Sequence, residues 1–225
     1  MKINPLYTYS KLSRKDLPEG RRYVLPDGTS TAASVTTILS KTKDMSHLIK
    51  WKKRIGEDKA KVITEESSGL GTTMHAHLEA YVTNQPRPGG TNYGRMMAAK
   101  MADVIIKEGL VDVDEVWGVE ASLYYDTLWA GTTDLVGLYQ GKPAIMDFKT
   151  TIKPKKPEWV EDYKLQLAAY QMAHDNIHKT DIQTVVVFMV SRDFEFQKFV
   201  WSGPVLEEAR VQWAHRVSDY YNRFT

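Results

Sequence analysis

The 225-residue chain contains no cysteine. That absence excludes disulfides, thiolate zinc sites and an iron–sulfur cluster, and it fits a reducing compartment. No apolar run approaches the roughly 20 residues of a membrane helix, and the N-terminus lacks a signal-peptide core. The opening MKINPLYTYSKLSRK is mildly basic, but Pro5 and the want of an amphipathic pattern make it a poor transit peptide. The expected setting is therefore cytoplasmic, in a bacterium or a phage-infected cell. Repeats and low-complexity tracts are also missing. A net charge of +2 is too small to advertise a polyanion partner, so any nucleic-acid surface must come from uneven placement of the 30 basic residues. What is left, 42% hydrophobic and 26% charged residues, is the composition of a soluble globular domain.

The chain changes character near residue 110. Before it, turn signals fill the first 30 residues, with one strand expected over 21–25. Helices follow over 35–40 (capped by Ser34), 44–64 (opened by Asp44), 71–83 and 93–108. After it, strands are expected over 113–125, 130–139 and 143–150. A long helix over 158–178, strands over 183–190 and 195–201, and a helix over 204–224 complete a βββαββα order. No linker separates the halves, which predicts one mixed sheet with helices packed against it.

Residues 131–150, GTTDLVGLYQGKPAIMDFKT, read as one hairpin whose only credible turn is Gln140-Gly141. A two-residue turn pairs Tyr139 with Lys142, and counting back puts Asp134 opposite Asp147. The strand period of two places Asp147 and Lys149 on one face. Cross-strand neighbours lie about 5 Å apart, so two acids and an amine converge on one spot. Carboxylates that close repel unless a cation sits between them. An exposed Asp-x-Lys is usually an ordinary ion pair of little energetic weight. Here Ala144, Ile145, Met146 and Phe148 surround it with an apolar run, which argues for burial instead.

Metal-assisted phosphodiester hydrolysis needs oxygen ligands for Mg²⁺ or Mn²⁺, a group to orient the attacking water, and positive charge against the transition state. Asp134, Asp147 and Lys149 supply that set. Gly-x-x-Asp on one strand and Asp-x-Lys on the next resemble the core of the PD-(D/E)xK nuclease superfamily. The likeness is to its RecB-like branch, on the side of the mitochondrial genome maintenance and phage exonucleases. It implies an α/β, restriction-endonuclease-like mixed sheet flanked by helices, with a helical N-terminal part over the cleft. Residues 1–225 would form a single nuclease domain, 1–110 mainly helical and 111–225 the catalytic core. The resemblance also implies that Asp134 and Asp147 bind metal, that Phe148 between the motifs joins the metal shell, and that Lys149 is catalytic.

Further motifs extend it. Gln166 and Tyr170 of QLAAY share a helical face with Tyr163 and Trp159. The branch has Gln-x-x-x-Tyr in this place, which implies a DNA-facing part in support and backbone contact. In GTTMHAHLEAY, His75 and Glu79 lie one helical turn apart, while His77 points roughly 200° away from His75. The family pattern Gly-x-x-x-His selects His75 as a metal ligand and leaves His77 structural. Glu120 precedes the hairpin where family members often carry a glutamate, which implies contact with metal or the attacking water.

Lysines crowd the segment around Trp51, among them Lys52 and Lys53, and Lys153, Lys155 and Lys156 follow the Asp-x-Lys strand just before Trp159. Charge runs are usually solvated faces, yet cations beside aromatic rings are what a single-strand channel uses. The whole implies a metal-dependent DNA exonuclease acting from free ends of single-stranded DNA in replication, recombination or repair. The rival is a catalytically inactive nucleic-acid-binding recombination or packaging factor on the same fold. A small phosphorylated substrate suits the dispersed lysines poorly.

Overall fold

The strand TVVVFMVS is covered on both faces, and its period of two distributes it between two cores. Val185, Val187 and Met189 enter one core, and Val186, Phe188 and Val190 enter the other. Each such side chain contributes about 1.5–3 kcal/mol on burial. A computed structural model describes residues 1–224, apart from the side chain of His47. Its strands are β1 (Lys2–Ile3), β2 (Ser13–Leu17), β3 (Gly20–Val24), β4 (Thr31–Ser34), β5 (Val113–Tyr125), β6 (Trp129–Tyr139), β7 (Lys142–Thr151), β8 (Thr184–Ser191) and β9 (Phe196–Ser202). The helices are α1 (Val35–Thr42), α2 (Ser46–Ile55), α3 (Glu57–Val82), α4 (Tyr93–Glu108), α5 (Glu161–His178) and α6 (Pro204–Phe224).

The nine strands form one mixed sheet flanked by helices, the α/β class expected. Helices α1, α5 and α6 cover one core, and α3 and α4 cover the other. The parallel β7–β8 pair is joined through α5, so the second half keeps the expected βββαββα order. In the β6–β7 hairpin Gln140 and Gly141 both take positive φ, 48° and 74°, the twist that a two-residue hairpin turn requires. Tyr139 pairs with Lys142, and the register runs back to Leu135 opposite Met146. Asp134 and Asp147 are the next positions in that register.

Two expectations for the first half are corrected. The early segment holds four strands, not one: β2, β3 and β4 extend the sheet, and β1 joins β5 in parallel. The helices expected over 44–64 and 71–83 are instead α2 and a 26-residue α3. Gly56, at φ 89°, breaks the first, whereas α3 runs through Gly69 and Gly71. A helical glycine costs about 1 kcal/mol relative to alanine. Leu70, Met74, Leu78 and Val82 bury one stripe of α3 against the sheet and offset that cost. Ser34 caps α1 as expected, its hydroxyl accepting from the Thr37 N–H at 2.9 Å. No helix of the described residues is long and apolar enough to cross a membrane.

Strand β6 holds an unusual place. Strand β5 pairs along one edge for its whole length. The other edge is shared: β4 pairs with Trp129 and Ala130, and β7 pairs from Leu135 onward. Residues 131–134 face a fork with no ladder partner on that side. Gly137, farther along, sits against a bulge of β5, where an added Cβ would lie 2.0 Å from the Glu115 carbonyl oxygen. Gly137→Ala should therefore destabilise the protein by about 1–3 kcal/mol in chemical denaturation. Gly69→Ala, with open space around it, should stabilise it by about 0.5–1 kcal/mol. Equal effects of the two substitutions would contradict this packing.

Candidate active site

At the fork, side chains replace the missing ladder bonds. The Thr133 hydroxyl donates to the Met146 carbonyl at 3.1 Å, and the Phe148 N–H donates to Asp134 Oδ2 at 2.6 Å. The Tyr170 ring of α5 packs so closely on Gly131 that a Cβ there would lie 2.6 Å from it. The other Asp134 oxygen, Oδ1, meets His75 Nδ1 of α3 at 3.0 Å. Asp147 and Lys149 of β7 form an ion pair beside it, both largely buried.

Glu120 completes the group through a backbone anomaly. It sits in mid-strand β5 with φ 47°, a conformation that costs a non-glycine residue about 1–3 kcal/mol. Val119 and Leu135 pair, as do Ala121 and Thr133, so Glu120 falls opposite Asp134 in the register. The kink breaks the alternation of the strand: Val119 packs toward α3 and α4, while Ala121 packs toward α5. As a result His75, Glu120 and Asp134 each offer a ligand atom within 4.8 Å of the others.

The electrostatics reflect three acids in one place. Crowding by protein atoms and then the Asp134 carboxylate push Glu120 up to about 7. Burial, reinforced by Asp134, pushes Asp147 up to about 6 even against Lys149. Burial works against a charged His75, yet Asp134 and Asp147 outweigh it and lift the ring to about 9. Burial alone would raise Asp134, but His75 and Lys149 hold it below the usual carboxylate range. Lys149 is raised, because Asp147 and Asp134 overcome its own burial. Asp147 Oδ2 is buried and, apart from its ion pair with Lys149, has no hydrogen-bond partner. A His–Glu–Asp cluster without thiolates, with a further buried carboxylate beside it, fits a hard divalent cation.

The sequence-based expectations fare unequally here. His75, Asp134, Asp147 and Lys149 come together. Glu120 joins them, its carboxylate within 4.8 Å of the His75 and Asp134 ligand atoms, while Asp147 pairs with Lys149. The Phe148 ring packs in the α3–α4 core and its N–H is taken by Asp134, so only its carbonyl is left for a ligand. His77 is buried and accepts from the Arg87 Nε–H at 3.2 Å, the structural part expected of it.

Gln166 and Tyr170 depart from a DNA-facing placement. They are 8% and 3% exposed, and the Gln166 amide donates to the Tyr170 hydroxyl at 3.1 Å. Their stripe meets the sheet because Gly131 leaves room for a ring, so they brace the fork from beneath. Tyr163 of the same stripe lies 5.2 Å from Lys149 Nζ, ring to cation. On α2, Trp51 is half-buried while Lys52 and Lys53 are exposed. Lys153 is exposed and Lys155 half-buried in the segment after β7, where Lys156 stands 5.5 Å over the exposed ring of Trp159.

The raised carboxyl of Glu120 has a consequence for stability. A group of ordinary value 4.5 that titrates near 7 when folded stabilises the native state below the lower value. That contribution is lost as pH rises through the upper one. Without metal, Glu120→Gln should be more stable than the native sequence at pH 8, with the gap closing toward pH 4.5. Glu120→Gly should add about 1 kcal/mol more by relieving the positive φ. Denaturation midpoints measured across this pH range test both, and a Glu120→Gln protein less stable at pH 8 would refute the electrostatic account.

No family model matches the sequence. It is 28% identical over 180 residues to mitochondrial genome maintenance exonuclease 1 of Homo sapiens, covering 75% of this chain and 52% of that protein. The Mus musculus protein of the same name is 27% identical over 181 residues, with 75% and 52% covered. The chain thus spans about half the length of the curated relatives it matches. A solved structure from Eubacterium rectale overlaps with a TM-score of 0.49 at 10% identity, over 68% of this chain and 65% of that one. A structure named SSO0001 gives 0.43 at 15% identity, over 85% and 77%. The chain is a homologue of mitochondrial genome maintenance exonuclease 1, consistent with a PD-(D/E)xK nuclease of the RecB-like kind.

Proposed function

We propose that the chain is a divalent-metal-dependent DNA exonuclease that hydrolyses phosphodiester bonds from free ends of single strands, in replication, recombination or repair. The observation that carries this reading is the meeting of three acids from neighbouring strands with His75 and a charged lysine in one fork. A nucleic-acid binder without turnover gains nothing from crowding and burying like charges, which disfavours the inactive alternative.

His75, Glu120 and Asp134 would hold Mg²⁺ or Mn²⁺, with Asp147 and the Phe148 carbonyl beside them. Bound there, such an ion polarises a phosphodiester and eases deprotonation of water. The protein's own groups do the rest. Asp147 anchors Lys149, and the two carboxylates keep its ammonium protonated, so a fixed positive charge meets the charge that develops in the transition state. Tyr163 limits where that ammonium can point. Gln166 and Tyr170 act through the fork, keeping Gly131–Asp134 in place. Trp51, Lys52 and Lys53 on α2, and Lys153, Lys155 and the Lys156–Trp159 pair after β7, offer cations for phosphates and rings for bases. Helix α3 must stand against the fork to deliver His75, which narrows the approach and favours a threaded flexible strand over a duplex.

With Mg²⁺, linear single-stranded DNA should be lost while a covalently closed circle of the same sequence survives, and chelation should stop the reaction. Comparable loss of the circle would make this an endonuclease. Activity after exhaustive chelation would remove the metal from the account. Lys149→Ala should bind DNA and still cut about 10²–10³ more slowly.

A further inference from the structure

Beside the fork, on the Lys149–Thr150 side, lies a small cleft of about 190 Å³ to which the chemistry above assigns no ligand. Ser67, Thr150, Lys155, Tyr163 and Arg192 line it. Two of these are cations that make no ion pair with a carboxylate among the described residues. Several other half-buried basic groups do have acidic partners, Arg87 with Asp103, Lys198 with Asp112 and Arg216 with Asp162, whereas Arg22 is met by Thr31 alone among the described residues. Half-buried positive charges without a counter-charge around a polar recess leave room for an anion.

Both residues are anchored through their backbones. Lys155 follows the catalytic strand, and Gln197 of β9 clasps its backbone from both sides. The Lys155 N–H donates to Gln197 Oε1 at 2.7 Å, and Gln197 Nε2 donates to the Lys155 carbonyl at 2.8 Å. Arg192 begins the β8–β9 turn, its N–H donating to the Thr151 carbonyl at 3.0 Å. The Ser191 hydroxyl accepts from the N–H groups of Asp193 and Glu195, which fixes that turn. One guanidinium nitrogen donates to Ser67 Oγ at 3.1 Å, and the remaining donors are free for a ligand. The acids nearby, Glu66 and Asp193, border the adjoining larger cleft of about 630 Å³ and not this one.

We propose that Arg192 and Lys155 form a phosphate subsite that binds a backbone phosphate of the single strand next to the scissile one. The inference rests on the nuclease reading above and adds a register to it. Tyr163 sets the distance, because its ring lines this cleft and also lies 5.2 Å from Lys149 Nζ. A phosphate held here and a phosphate at Lys149 are therefore neighbours along one strand. The strand continues into the larger cleft, which shares Leu70 and Arg192 with the small one.

The test uses the full chain and single-stranded DNA oligonucleotides, each carrying one neutral methylphosphonate at a defined linkage from the end. With the native protein, one linkage beside the cut should slow cleavage about tenfold at subsaturating protein. In Arg192→Gln the ordinary oligonucleotide should already be slowed by a similar factor, and neutralising that linkage should cost less than a further twofold. Binding measured under chelation should show the slope of log affinity against log salt reduced by about 0.7, the value for one phosphate contact on a single strand. Arg192→Lys should restore the slope, and unchanged thermal melting of both variants would separate the effect from misfolding. If the native protein cuts but Arg192→Gln keeps the full salt slope and full sensitivity to the neutral linkage, the subsite is refuted alone. If the native protein neither binds nor cuts single strands, the nuclease reading falls and takes the subsite with it.

Discussion

Strand β6 has two neighbours competing for one edge. Strand β4 takes its beginning and β7 takes its end, and neither can reach residues 131–134. Backbone groups left at such a gap must find partners, since an unpaired buried amide or carbonyl costs about as much as a lost hydrogen bond. The protein meets that demand with side chains, so Asp134 is drawn into the plane of the sheet to accept the Phe148 N–H. A carboxylate placed for backbone reasons thereby lies within reach of Glu120, Asp147 and His75. The tyrosine wedge against Gly131 and the glutamine behind it follow from the same gap.

That geometry sets an electrostatic problem which the rest of the site answers in part. Three acids stand against one lysine and one histidine. Asp147 satisfies itself on Lys149, Asp134 on His75 and Phe148, and Glu120 has no cation of its own among the described residues. It is also the residue held in a left-handed backbone conformation. Strain and unrelieved charge on the same side chain are what a preorganised ligand site retains at the expense of stability.

Much of this was legible in the sequence because it depends on local rules. The Gln140-Gly141 turn fixes the register of the hairpin, and the register fixes Asp134 against Asp147. Ser34 before Val35 announces a cap, and the period of α3 separates His75 from His77. What was not legible depends on distant pairing. The positive φ of Glu120 belongs to a strand bent by bulges against β6, and nothing in VEASL announces it. Strands β1, β2 and β4 are only two to five residues long, too short for a period to show, and they form by pairing with neighbouring strands. The continuity of α3 through two glycines comes from burial of a stripe that propensity does not weigh. Arg192 stands in a turn with no motif around it, and only the fold brings it opposite Lys155.

The central claim is that the acids at the fork are arranged for a divalent cation. It is tested most directly by thermal or chemical denaturation of the full chain at pH 8 over a series of Mn²⁺ concentrations. A cation bound only by the native state raises stability by RT ln(1 + [L]/Kd). The account predicts a stabilisation that grows with the logarithm of Mn²⁺ concentration above Kd for the native sequence and vanishes in Asp134→Asn. Stability that does not respond to Mn²⁺, or that responds equally in Asp134→Asn, would contradict it.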